Sequence, residues 1–184
     1  MKNSLPPLSP VTIISGKSSQ KYTLSLGITE KQLQKVVNYA QNDPLIIAQT
    51  SDPSRFSSLT RAYEWIEKEE KVFFTISPEK NLDQLSGIVW FEKSPLPAPY
   101  STVTNPEDSW TFGIRIYESA RGNKLSFPFM DEVFKKFWEL HPKKSVWLST
   151  RKTNLIAQKI YKKFGFTKLG TIPDKVVYLI EDRT

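Results

Sequence analysis

The 184-residue chain is 39% hydrophobic and 12% aromatic, enough for one well-buried core and barely enough for two, so a single domain over residues 11–184 is expected behind an N-terminal arm. It has no cysteine and one histidine, His141 in Leu140-His141-Pro142 at an expected helix end; this excludes disulfides, thiolate nucleophiles and cysteine zinc sites, and a lone solvated histidine leaves no Ser-His-Asp or His-rich metal chemistry. The net charge of +7 fits an anionic ligand, but the basic residues are dispersed and no nucleic-acid reader motif accompanies them.

Pro6, Pro7 and Pro10 make residues 1–10 an extended arm without the apolar core of a signal peptide, and no apolar run approaches the roughly 20 residues needed to span a bilayer. A soluble cytoplasmic protein without membrane partners is expected. Val11 to Ile14 and Tyr22 to Leu26 read as strands joined as a hairpin through Ser15 to Gln20. Thr29 followed by Gln32 is a capping box, after which Leu33, Val36, Val37 and Ala40 recur at helical spacing up to Pro44. Asp43 to Ser58 reads as a polar connection with an apolar patch at Leu45 to Ala48, and a second helix is expected from about Leu59 to Glu70. Val72 to Ser77 and Leu85 to Glu92 are β-rich runs separated by a turn, an antiparallel pair. Lys93 to Asp108, with four prolines, is a long excursion that suits a lid, a substrate wall or a flexible loop.

The second half alternates: a strand at Trp110 to Tyr117, a helix at Leu125 to Leu140, a strand at Ser145 to Leu148, a helix at Asn154 to Phe164, then strands at Phe166 to Leu169 and Val176 to Ile180. That order predicts parallel pairing through crossovers. Within it, Trp110 to Ser126 runs from strand into helix through Arg121-Gly122-Asn123-Lys124-Leu125-Ser126. A tight turn of this kind aims unpaired backbone N–H groups and the positive end of a helix dipole at whatever lies above, a site suited to phosphate. Pro128 has no N–H for the Lys124 carbonyl, so regular helical bonding should begin near Ser126. An ordinary strand-helix connection with a helpful glycine fits the same residues.

Arg121 to Ser126, preceded by an apolar strand with Ile114 and Ile116, resembles the pyrophosphate motif of the GNAT superfamily of acyl-CoA-dependent N-acetyltransferases. Downstream, Val146-Trp147-Leu148 followed by Asn154, Ala157, Tyr161, Gly165 and Phe166 resembles the second motif of that family. The resemblance covers about residues 22–180. It implies an α/β fold of the α+β type, with a mixed central sheet of about six to seven strands and about four helices. It also implies acetyl-CoA as co-substrate without a metal, and transfer of its acyl group to an amine: a small molecule, a protein N-terminus or a lysine.

By this resemblance, the backbone of Ile114, Arg115 and Ile116 would pair with the pantetheine arm. Arg121, Gly122, Asn123, Lys124, Leu125 and Ser126 would form the pyrophosphate site, and Asn154 would bond near the pantetheine. Tyr161 would supply or orient a proton for the leaving sulfur, although its apolar helix also suits a plain core tyrosine. Lys124 departs from the family, which has a small glycine there: either its N–H stays in place and its ammonium joins the phosphate, or its bulk weakens the site. The glutamate that some members carry before the second helix aligns with Ser149, so the general base points instead to Asp108 or Glu107, with Glu118 at the far end of the strand and Asp108 preferred. A water relay or an amine arriving neutral would remove the need for any base. A non-catalytic CoA-binding sensor and a basic nucleic-acid-binding protein are the competing readings.

Overall fold

The computed structural model describes residues 11–50, 52–68 and 70–182; the arm expected for residues 1–10 lies outside them. In chain order the elements are β1 (Val11–Ile14), β2 (Lys21–Leu26), α1 (Glu30–Asn42), α2 (Pro44–Gln49), α3 (Leu59–Lys68), β3 (Lys71–Pro78), β4 (Gly87–Lys93), β5 (Ser109–Ile116), α4 (Ser126–Leu140), β6 (Ser145–Arg151), α5 (Leu155–Phe164), β7 (Thr167–Ile172) and β8 (Lys175–Ile180). The strands make one sheet in the order β1-β2-β3-β4-β5-β6-β8-β7. Every neighbouring pair is antiparallel except β5 and β6, which are parallel.

Side chains of a strand alternate between faces, so the sheet separates two apolar layers. On one face Val89, Phe91, Trp110 and Phe112 meet Phe129, Val133, Phe134 and Phe137 of α4, with Ile160, Tyr161 and Phe164 of α5 alongside. Phe91 and Phe137 stack with centroids 4.0 Å apart. On the other face Phe73, Ile88, Trp90 and Tyr117 meet Leu33, Val36 and Val37 of α1 and the region before α3. Because β3 and β4 are covered on both faces, they are buried nearly throughout, which is why their sequences read as continuous apolar runs.

The α1 capping box forms as its residues predict: Thr29 Oγ1 accepts from Gln32 N at 3.2 Å, and Gln32 Oε1 accepts from Thr29 N at 3.0 Å. Four expectations change. The apolar patch after Pro44 is a helix, α2, started by Asp43, whose carboxylate accepts from the N–H groups of Leu45 and Ile46 with Pro44 in the first turn. The sheet has eight strands rather than six to seven. The second crossover, through α5, does not yield a parallel neighbour: β8 inserts between β6 and β7 and pairs with both in antiparallel fashion. His141 is not a solvated terminus residue. It packs on Trp110 and Phe137, with ring centroids 4.7 and 5.1 Å away, and burial pushes its imidazole below the ordinary range.

The Pro-rich excursion is pinned at several points. Leu96 is buried, Trp147 Nε1 donates to the Ser94 carbonyl at 2.9 Å, and Tyr100 Oη donates to the Thr171 carbonyl at 3.2 Å. Tyr100 sits so close to Gly170 that a Cβ there would lie 2.0 Å from its oxygen. Among the described residues no helix is long and apolar enough to cross a membrane.

Candidate active site

The parallel pair at the centre of the sheet is short. β5 and β6 are in register only at Ser109, Trp110 and Thr111 opposite Ser145, Val146 and Trp147; beyond these the strands part, while β5 stays paired with β4 as far as Ile116. The Ser109 carbonyl and the Tyr117 N–H both bond toward the β4 side. Alternation along an antiparallel strand therefore turns the main-chain groups of Ile114 and Ile116 to the opposite edge, where β6 has left. A cleft of about 390 Å³ occupies the gap, bounded by β5, β6, α2, the end of β4 and one side of α5. Thr111 to Arg115, Ser149, Asn154 and Tyr161 line it.

One end of this edge runs into the turn before α4. Gly122 has φ +78° and open space where a Cβ would stand, and Lys124 has φ +53°, a left-handed conformation that glycine adopts more readily. The cap residue of α4, Leu125, offers no side-chain acceptor, and the N–H groups of Lys124, Leu125, Ser126 and Phe127 find no acceptor among the described residues. Regular bonding starts with Phe129 N donating to Leu125 O at 3.0 Å. An uncapped first turn of this kind favours an anion.

The turn is anchored from behind. The Arg121 guanidinium donates to the Ile116 carbonyl from Nε at 3.0 Å and pairs with the Asp43 carboxylate through Nη2, and its N–H bonds Tyr117 O at 3.1 Å. Both side chain and N–H of Arg121 are thus already engaged. Burial alone would raise the Asp43 carboxyl, but bonds from Arg121, Ile46 and Leu45 outweigh it and hold it below its ordinary range. From the β1–β2 loop, Ser15 Oγ donates to the Asn123 carbonyl at 2.8 Å, and Gly16 lies against the Lys124 stem, so that an added Cβ would meet Lys124 Cβ at 3.4 Å.

The β6–α5 wall carries the residues of the second motif. Asn154 Oδ1 caps α5 by accepting from Ala157 N at 3.2 Å, which uses the acceptor of the amide and leaves its NH2 as a donor. Tyr161 is one turn before the helix end and packs on Phe166 and Tyr178 with centroids 5.7 and 6.2 Å away. Burial pushes its phenol up to about 12, so the group is protonated at neutral pH and can donate but not accept a proton.

Asp108, preferred above as the base, is a correction. It lies in the short helical turn before β5 and does not line the cleft. It pairs with Lys144 and accepts from Asn105 Nδ2 at 3.1 Å; the Lys144 hydrogen bond holds its carboxyl below the ordinary range. Glu107 is likewise tied to Lys93 at 2.9 Å, and Glu118 is exposed outside the cleft. The carboxylates that do line it are Glu92, on β4, and Asp52. Glu92 is the more buried, 15% exposed and 3.5 Å from Lys71 Nζ. Sequence reasoning passed over it, although a single acid closing the buried run from Leu85 was a usable signal. Arg55 and the side chain of Arg115 were also missed, because their environment is assembled from α2, α3 and β4, remote in sequence.

Among the described residues no group of three or more His, Cys, Asp or Glu side chains could hold a metal ion. No sequence model of a known family matches the chain, and no curated protein matches its sequence. Solved structures do match in fold. Spermidine N-acetyltransferase from Vibrio cholerae, solved with CoA and spermine, is 17% identical with a TM-score of 0.66, covering 86% of this chain and 95% of that one. The GNAT domain of S. lividans PAT is 11% identical with a TM-score of 0.68 over 94% and 97% of the two chains. AAC(6')-Ib, solved with ribostamycin and coenzyme A, is 13% identical with a TM-score of 0.67 over 87% and 93%. At these identities the likeness is one of fold: the chain has the GNAT fold.

Proposed function

We propose that the chain is an acyl-CoA-dependent N-acyltransferase, moving an acetyl or closely related acyl group to a primary amine by direct attack. The observation that carries the reading is one juxtaposition: a β5 edge left open by β6 leads to an uncapped α4 start, so a run of unpaired amides meets an anion-binding helix end. A thioester with a diphosphate at its far end suits both. Coenzyme A in two of the matching structures, with spermine in one and ribostamycin in the other, supports acyl-CoA and a small-molecule amine as the partners.

When bound, acyl-CoA supplies an activated carbonyl. The N–H groups of Lys124 to Phe127 hold the diphosphate, the main chain of Ile114 and Ile116 lines up the pantetheine arm, and the Asn154 amide donates to it. Main-chain N–H on the same edge stabilises negative charge growing on the carbonyl oxygen. As the amine nitrogen bonds to the acyl carbon and the carbon-sulfur bond breaks, Tyr161 gives its proton to the sulfur; the amine proton leaves to Glu92 by way of water.

The test pairs thermal stabilisation by acetyl-CoA with free-thiol release across an amine panel. Stabilisation of several degrees together with amine-dependent thiol release is expected. Stabilisation without release from any amine would favour the non-catalytic CoA-binding reading, which Ser149 in the cleft motivates; no stabilisation, with salt-sensitive retention on DNA, would favour the nucleic-acid reading.

A further inference from the structure

The α1–α3 side of the cleft carries a chemical signature of its own, and its meaning rests on the acyltransferase reading. Arg55, from the turn between α2 and α3, and Arg115, from β5, lie against the same indole: their guanidinium carbons are 5.6 and 5.7 Å from the Trp90 centroid. Arg55 also covers Trp65 at 4.5 Å, and Arg115 covers Phe56 at 4.8 Å. Stacking on rings fixes the guanidinium planes and leaves their N–H edges as the polar outlet.

Those edges are underused. Arg55 Nε and Arg115 Nη1 are buried and have no hydrogen-bond acceptor among the described residues. Arg115 Nη2 donates to Thr50 Oγ1 at 3.1 Å, and the buried Tyr117 hydroxyl beside Arg115 is outside hydrogen-bonding geometry. The carboxylate paired with Arg55 is Asp52, at 4.0 Å and half exposed. Burial pushes both guanidiniums down, and the charge on Arg55 adds to the effect on Arg115, yet arginine stays charged at any physiological pH. Arg151 and Lys175 add positive charge to the lining, whereas its acids are Asp52 and Glu92, the latter paired with Lys71. Two like charges are held together in a desolvated pocket; Glu92 and Asp52 at Arg55, and Asp43 at Arg115, offset only part of that cost, so an added anion is favoured.

We propose that the acceptor is a small amine bearing an oxyanion, a carboxylate or a phosphate, gripped by the Arg55–Arg115 pair while its amino group lies toward Glu92 and the parted strands. The rigid, ring-backed forks match the bidentate geometry of such groups. A polyamine would bring cation to cation and gain nothing from the pair.

Trp65 and Trp90 lie under the two arginines, so their fluorescence reports occupancy. The acetyl-CoA-loaded protein is titrated with the L-amino acids and with O-phosphoethanolamine, each against its uncharged counterpart (the amino-acid amides and ethanolamine), and with spermidine, while thiol release is followed in parallel. The expected result is saturable quenching by one anionic series, which identifies carboxylate or phosphate, with kcat/KM about tenfold or more above the uncharged partner. Arg55→Gln and Arg115→Gln each raise Kd for that amine by about tenfold or more, and Arg55→Lys restores only part of the loss. A cooperative melt checks that each variant folds. Equal or better use of amides, ethanolamine or spermidine overturns the proposal, as does absence of quenching by both anionic series, or unchanged binding in the folded Gln variants. Arginine-dependent binding without thiol release leaves this site standing and removes the acyltransferase reading; brisk spermidine acetylation indifferent to both arginines does the reverse.

Discussion

Tyr161 and Lys124 illustrate how single positions constrain the chemistry. With its phenol pushed up to about 12, Tyr161 holds its proton across the physiological range. Tyr161→Phe should therefore slow thiol release by about 100-fold or more, the lower bound typical of a lost acid, while Kd for acetyl-CoA moves less than about threefold; steady-state kinetics beside a binding titration checks both. Lys124 occupies left-handed backbone at φ +53°. Glycine fits that conformation and a β-branched residue does not, so Lys124→Gly should leave stability level or raise it by up to about 1 kcal/mol, whereas Lys124→Val should lower it by about 1–2 kcal/mol. Urea midpoints decide. What the residues disclosed in advance was uneven. Short spacings within single segments place Asn154 and Tyr161 on one helix beside the cleft and the 121–126 turn at the start of α4. Asp108 was misjudged because Lys144, 36 positions away, claims it, and no local pattern announces such a partner.

Among the elements, α2 and the turn before α4 depend on one ion pair. Asp43 both starts α2 and takes the Arg121 guanidinium, with its own side chain 4% exposed and that of Arg121 26% exposed. Asp43→Asn strands a partly buried cation and slackens the turn. A loss of about 2–3 kcal/mol is expected, below the full value for a buried pair because Arg121 is partly solvated, along with weaker stabilisation by acetyl-CoA. Chemical denaturation with and without acetyl-CoA measures the two effects. The Asp-Pro sequence at 43–44 was itself a readable helix start, overlooked because the segment that follows is short. The order of β6, β8 and β7 was not readable: local alternation of strands and helices specifies which segments are strands, but the insertion of β8 is decided by how the whole sheet buries its last two members.

For the molecule as a whole, stability should fall toward both ends of the pH scale, for different reasons. Burial raises the phenols of Tyr161 and Tyr117. The unfolded chain then loses those protons first, and stability declines as pH rises from about 10, the ordinary tyrosine value, through about 12. On the acid side His141 is held below its ordinary value, so the unfolded chain binds its proton first and stability drops as pH falls below about 6.5; Asp43, also depressed, adds a second decline below about pH 4. Urea midpoints recorded from pH 3 to 11 test the profile, and a flat curve between pH 4 and 6.5 would contradict the part assigned to His141. One detail at the mouth of the cleft acts at this scale. Thr50, at the end of α2, receives Arg115 Nη2 of β5 on its hydroxyl at 3.1 Å and Arg151 Nη2 of β6 on its carbonyl at 3.2 Å. A single residue thereby braces two strands across the stretch where they exchange no ladder bonds, and the width of the gap is set by a helix end that belongs to neither. Replacing Thr50 by valine cuts the β5 tie and spares the β6 tie, so the gap would be tethered on one bank alone.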